Sequence, residues 1–110
     1  MKTLRNLQDE QGHIMSGIEH PRLGNVVGLF EEVGELAQEV MEIEMYGENR
    51  KNELADECAD VLVGLISLCN SYDIDLEGAY EKKILKIKDK IPDWREKYGD
   101  NLKKMRGKMD

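Results

Sequence analysis

The amino-acid sequence predicts an all-α protein, an antiparallel bundle of four to five helices. Apolar residues recur at helical spacing along most of its 110 residues, and no run alternates apolar and polar residues as a half-buried strand would. Asn-Gly and Asp-Gly pairs, the strongest short-range hairpin signals, do not occur in the sequence. A single domain over residues 1–110 is expected, because this length is enough to enclose a core.

The first two helices are separated by a turn that contains Pro21. The first helix is predicted over residues 3–16. Its residues expected to face the core are Leu4, Leu7, Ile14 and Met15. Pro21 suits the first position of a helix, where the amide hydrogen that proline lacks would be unpaired in any case. The second helix is therefore predicted from Pro21 to about Tyr46, and Gly47 ends it.

The third and fourth helices are predicted over residues 51–72 and 76–91. Asp75 has a side chain that caps helix starts well, and it directly precedes the fourth helix. Pro92 is expected to interrupt this helix, because proline removes a backbone hydrogen bond from a helix interior. Residues 92–110 have few apolar side chains and many charges, so they are expected to form either a peripheral helix or a mobile tail.

The net charge of −7 is unevenly distributed along the chain. Residues 1–22 are neutral, residues 23–72 carry eleven acidic side chains against two basic ones, and residues 73–110 carry +2. Binding to a nucleic-acid polymer is not expected, because it requires a basic face. The longest apolar stretch, Cys58 to Cys69, is too short to span a membrane. Since the first residues do not resemble a secretory signal, a cytoplasmic protein is expected.

Acidic side chains are concentrated in the most apolar part of the chain. On the second helix, Glu32 shares a face with Glu35, and so does Glu31, because residues three or four apart are neighbours on a helix. The third helix carries one acidic stripe, made of Glu53, Asp56, Glu57 and Asp60. The connection between the two helices is short, which makes them antiparallel neighbours and allows the two acidic faces to meet.

Carboxylates that converge in this way need protons or a cation. Two like charges ~4 Å apart repel by roughly 4 kcal/mol at an effective dielectric constant near 20. A hard divalent cation with oxygen ligands, Mg²⁺ or alternatively Mn²⁺, would neutralise the repulsion. The other interpretation is a solvated acidic surface that water and salt screen. The scarcity of bases nearby and the position of Asp60 in an otherwise apolar segment favour a metal site.

Two acidic motifs in this region resemble the signature of a known family. Glu31-Glu32-Val-Gly-Glu35-Leu is followed by Glu57-Cys-Ala-Asp60-Val-Leu, and 21 residues separate Glu35 from Glu57. This order is similar to the Glu-Glu-x-x-Glu and Glu-x-x-Asp motifs of the all-α nucleoside triphosphate pyrophosphohydrolases, the MazG-like group. The resemblance extends over residues 23–90, most of the folded chain.

The resemblance implies a Mg²⁺-dependent hydrolase of phosphoric anhydride bonds. Such an enzyme converts a nucleoside triphosphate to the monophosphate and pyrophosphate, for example to clean the nucleotide pool. The implied metal ligands are Glu32, Glu35, Glu57 and Asp60. Glu31 is implied as the base that activates water or as an outer carboxylate. The implied partners are the nucleotide substrate and further copies of the chain, in a homodimer or homotetramer.

A third segment, from Asn70 to Lys83, resembles the next helix start of the family, Ile-Asp-Leu-x-x-Ala followed by a lysine. Lys83, Lys86 and Lys90 recur at one helix face and are suited to bind phosphate oxygens, although a solvated lysine face is the other interpretation. The family often has asparagine and arginine after this lysine. This chain has Ile87 and Lys90 there, so its contacts with phosphate or sugar differ.

Two other functions remain open at the level of sequence. Phosphoribosyl-ATP pyrophosphohydrolases use a similar acidic signature, and a non-catalytic helical interaction module could retain the same fold. Apolar residues on more than one face of the second and third helices favour a bundle that self-association completes. Trp94 is expected either to anchor the C-terminal segment in a neighbouring subunit or to stack on a base.

Overall fold

Capping and turn residues define the helix ends in the computed structural model, which describes residues 1–109. Its four helices are α1 (Leu4–Ile14), α2 (Arg22–Tyr46), α3 (Lys51–Ser71) and α4 (Leu76–Met109), and this range contains no strand. The Thr3 hydroxyl accepts from the Asn6 backbone amide, and the Asn6 side chain accepts from that of Thr3, which caps α1. Gly47 ends α2 in the left-handed conformation, with φ 66°. The predicted all-α class is confirmed.

Helices α2 and α3 pack against each other as an antiparallel pair. Leu29 lies against Gly64, and Glu39 binds Arg50, so residue numbers rise along α2 as they fall along α3. A Cβ atom at Gly64 would lie 3.4 Å from Leu29 Cδ1 and 3.7 Å from its Cα. The absence of a side chain at Gly64 therefore lets the two helices approach closely at this point.

A bidentate ion pair joins α2 and α3 next to the connection between them. Arg50 Nε donates to Glu39 Oε2 over 2.6 Å, and Arg50 Nη2 donates to Glu39 Oε1 over 3.0 Å. These hydrogen bonds to the guanidinium lower the pKa of Glu39 below its ordinary value. The ion pair thus favours the charged carboxylate in the folded state.

This ion pair predicts a pH-dependent contribution to stability. A carboxyl whose pKa is lowered by folding stabilises the folded state at pH values above its pKa in the unfolded chain, about 4.3. This contribution is lost as the pH falls through the pKa of the carboxyl in the folded state. We expect Glu39→Gln to lower the free energy of unfolding at pH 7 and to have a progressively smaller effect below about pH 4. Urea titrations of both proteins between pH 7 and pH 3 measure this difference. An equal difference at every pH would contradict a role for the ion pair.

Amide side chains attach α1 to α3. Gln8 and Gln11 are only 7% and 9% exposed. Gln8 Nε2 donates to Asn70 Oδ1 over 3.1 Å and to the backbone oxygen of Ile74 over 2.8 Å. Ile14, predicted to face the core, is 68% exposed, so that prediction is wrong. The reason is that α1 turns a hydrogen-bonding face toward α3.

The chain divides into two compact units, Met1–Leu76 and the part of α4 from Glu77 onward. In the first unit, Ile66 and Cys69 are the buried apolar residues among those described. Phe30, on α2, is 72% exposed. Much apolar surface of α2 is therefore left uncovered by the rest of this unit.

The second unit is a helix that continues through Pro92 to Met109, so the predicted interruption at Pro92 is wrong. A proline inside a helix costs about 3 kcal/mol. The residues on both sides of Pro92 are rich in lysine, which favours helix, and they carry the helix past the missing hydrogen bond. None of the four helices, within the residues described, is long and apolar enough to cross a membrane.

Candidate metal centre

Acidic residues of α2 and α3 meet at the middle of the antiparallel pair. Carboxylate oxygens of Glu32, Glu35 and Glu57 lie within 4.8 Å of one another, and so do those of Asp56, Glu57 and Asp60. Glu57 belongs to both groups. Asp60 also acts electrostatically on Glu32 across the helix pair. The structure therefore brings together all four residues predicted as metal ligands.

Two oxygens in this cluster lack hydrogen-bond donors. Oε2 of Glu32 and Oε2 of Glu57 are buried, and neither has a hydrogen-bond partner within the described part of the chain. Their polar neighbours are other carboxyl groups, which can bond to them only if a proton lies between the two. Burying a polar atom without a partner is unfavourable, and a cation bound at these oxygens would satisfy them.

Burial and mutual repulsion also change the acidity of the cluster. Desolvation, together with the charges of Glu35, Asp60 and Glu32, raises the pKa of Glu57 to about 7. Desolvation and the charges of Glu35 and Asp60 likewise raise the pKa of Glu32. Without a cation, the cluster therefore tends to retain protons near neutral pH. A divalent ion would replace those protons, because carboxylates bind metal in the ionised form.

The other predicted site residues lie outside this cluster. Glu31 is exposed on α2 and belongs to neither group of three among the described residues. The three lysines, all exposed and all on α4 in the second unit, are Lys83, Lys86 and Lys90.

Sequence reasoning left Asp56 out of the ligand set, although it placed Asp56 in the acidic stripe of the third helix. The structure brings Asp56 to Glu57 and Asp60. Its spacing of four residues from Asp60, on the same helix face, was the signal that could have identified it.

The sequence model of a protein family, the MazG nucleotide pyrophosphohydrolase domain, matches residues 22–94. These residues include α2, α3 and every acidic residue of the cluster. The chain belongs to the MazG family. MazG domains are nucleotide pyrophosphohydrolases and generally use a divalent metal ion. The oxygen-only donor set of this MazG domain, with its two unsatisfied oxygens, fits such an ion.

Two proteins are similar to this chain over most of its length. The uncharacterized protein YpjD of Bacillus subtilis (strain 168) is 36% identical over an alignment of 102 residues, and the match covers 84% of this chain and 89% of YpjD. The crystal structure of the Bacillus-conserved MazG protein, a nucleotide pyrophosphohydrolase, matches with a TM-score of 0.66 and 30% identity. That match covers 79% of this chain and 90% of the other. The predicted family and fold are confirmed.

Proposed function

We propose that this MazG domain is a Mg²⁺-dependent nucleoside triphosphate pyrophosphohydrolase of the cytoplasm that cleans the nucleotide pool. It would hydrolyse the bond between the α and β phosphorus atoms, so that a triphosphate and water give a monophosphate and pyrophosphate. The observation that supports this function is the group Glu32, Glu35 and Glu57, in which two buried carboxylate oxygens lack donors.

The residues suited to hold the ion are the four predicted ligands, Glu32, Glu35, Glu57 and Asp60, with Asp56 as a further carboxylate. When bound, Mg²⁺ or Mn²⁺ neutralises phosphate charge and lowers the pKa of a bound water. The carboxylates by themselves repel a triphosphate, so we expect substrate binding to require the cation.

We assign two further roles by proposal. Glu31, exposed next to Glu32 on α2, would accept the proton of the attacking water or orient it. Lys83, Lys86 and Lys90 would bind phosphate oxygens, for which exposed ammonium groups on one helix face are suited.

Hydrolysis of a panel of nucleotides tests the proposed reaction. The purified protein is incubated with Mg²⁺ and each canonical or damaged ribo- and deoxyribonucleoside triphosphate, and products are separated by ion exchange. We expect equal amounts of monophosphate and pyrophosphate, and no reaction when EDTA removes the metal. Diphosphate and inorganic phosphate as products, or no product from any triphosphate, would contradict the proposal.

We also propose that self-association completes the bundle, as a homodimer or homotetramer. Exposed apolar side chains on α2, such as Phe30 and Met41, have no cover within the first unit. Large exposed apolar patches are typical of protein interfaces. Sedimentation at micromolar concentration tests this proposal, and a monomer at every concentration would contradict it.

A further inference from the structure

A cavity of about 400 Å³ lies within the first unit, between α1, the start of α2 and the C-terminal half of α3. This volume is within the usual range of small-molecule sites. The acidic cluster is not part of its lining, but four amide side chains are, namely those of Gln8, Gln11, Asn25 and Asn70.

Two of these amides, Gln8 and Asn70, use their hydrogen-bonding groups to hold α1 against α3. Gln8 donates to Asn70 and Ile74, and its own Oε1 accepts from the backbone amide of Leu76 over 2.9 Å. Asn70 Nδ2 donates in turn to the backbone oxygen of Gln8 over 3.0 Å. Gln8 and Asn70 are therefore structural and have little capacity left for a ligand.

The other two amides keep hydrogen-bonding groups for a ligand. Gln11 Nε2 donates to the backbone oxygen of Val63 and to Ser67 Oγ, both over 2.8 Å. Since a carbonyl only accepts, the nitrogen of Gln11 must face Val63, and Oε1 is left as an acceptor. Asn25 is only 8% exposed, and its side chain makes no hydrogen bond with the residues that the structure describes. Both residues line the cavity.

The cavity lies two helical turns from the acidic cluster. Asn25 precedes Glu32 by seven residues on α2, and Ser67 follows Asp60 by seven residues on α3. Because the helices are antiparallel, both steps lead in the same direction, over ~10 Å at 1.5 Å per residue. A nucleoside monophosphate spans about as far, since six single bonds of roughly 1.5 Å separate its phosphorus from its base and the base ring extends this reach.

The charge of the lining selects the part of a nucleotide that fits. Asp9, Glu19 and Asp73 line the cavity, and His20 is the one lining residue that can carry positive charge. These carboxylates disfavour phosphate and favour an uncharged group that donates hydrogen bonds. A nucleobase with an exocyclic amino group is such a group.

We propose that this cavity is the nucleobase subsite, and that it selects a base with an amino group beside an acceptor ring nitrogen, as in cytosine and adenine. Gln11 Oε1 accepts from the amino group, and the Asn25 amide donates to the ring nitrogen. Uracil, thymine and guanine have a carbonyl oxygen where cytosine and adenine have the amino group. In those bases two acceptors, this oxygen and Gln11 Oε1, would face each other without a hydrogen between them. The inference rests on the proposed function, since it assumes that the phosphates lie at the acidic cluster.

Kinetics with an isosteric variant tests the selection. For the unaltered protein we expect kcat/KM for CTP and ATP to exceed that for UTP and dTTP by roughly 10- to 100-fold. Asn25→Leu should remove most of this preference, through KM, and leave the Mg²⁺ affinity unchanged. Asn101→Leu, an exposed position on α4, is the matched control and should retain the preference. No preference in the unaltered protein, or an equal preference in Asn25→Leu, would overturn the proposal.

A titration without turnover separates this inference from the proposed function. Cytidine or adenosine added to ¹⁵N-labelled protein should shift the side-chain amide resonances of Asn25 and Gln11, and uridine should not. If no triphosphate is hydrolysed but these shifts occur, the proposed reaction is wrong and the subsite stands. If triphosphates are hydrolysed but the amide resonances do not respond, the subsite is wrong and the reaction stands.

Discussion

Replacing Glu57 with glutamine is expected to abolish pyrophosphate release and to raise the melting temperature of the metal-free protein. Glu57 is the member shared by both carboxylate groups, and one of its oxygens is buried without a donor. Loss of this ligand should lower turnover by more than about 100-fold. Mutation of residues that only hydrogen-bond to a metal ligand already lowers metal affinity or activity by about 10- to 100-fold. The stability should change in the opposite direction, because a neutral amide removes a repelled charge and can donate to the carboxylates around it.

Thermal unfolding in EDTA and pyrophosphate release in Mg²⁺ measure the two effects on the same preparation. Glu44→Gln, an exposed position on α2 outside both groups, is the matched control and should change neither quantity. A Glu57→Gln protein that keeps its turnover would contradict the assignment of Glu57 to the metal. A lower melting temperature would contradict the view that the metal-free cluster is destabilised by its own charge.

The acidic cluster could be predicted because every step that builds it is local. Glu32 and Glu35, like Glu57 and Asp60, are three residues apart, so helical periodicity alone gives each pair a common face. The connection of four residues between α2 and α3 then sets the antiparallel pairing that brings the faces together. The pairing of α2 with α3, and with it the acidic cluster, therefore does not depend on contacts with residues distant in sequence.

The amide-lined cavity could not be predicted in this way. Glutamine on a helix is usually a surface residue, and the burial of Gln11 depends on an acceptor, the Val63 carbonyl, that lies 52 residues further along the chain. Asn25 gives even less signal, because its side chain has no hydrogen-bond partner among the described residues to mark its position. Pro92 was misinterpreted for a different reason, since a local rule about proline was outweighed by the helix-forming residues on both sides.

Adding Mg²⁺ to the metal-free protein is expected to raise its melting temperature by roughly 10 °C or more at a hundredfold excess over Kd. A ligand that binds only the folded state at this excess contributes about 2.7 kcal/mol. The folded state offers converging carboxylates within 4.8 Å of one another, whereas the unfolded chain separates them. The stabilisation should follow the Mg²⁺ concentration logarithmically once the site is saturated, and EDTA should reverse it.

Ordinary salt also relieves repulsion between exposed carboxylates, so ionic strength must be kept constant with KCl throughout this titration. Under that condition, a screened acidic surface and a metal site give different results. A site built on Glu32 and Glu57 should respond to Mg²⁺, and the Glu32→Gln/Glu57→Gln double variant should not respond. If the double variant gains as much as the unaltered protein, or if KCl alone produces the shift, the cluster is a solvated acidic face. The two buried oxygens without donors favour a specific response to Mg²⁺, because salt in the surrounding water cannot reach them without binding there.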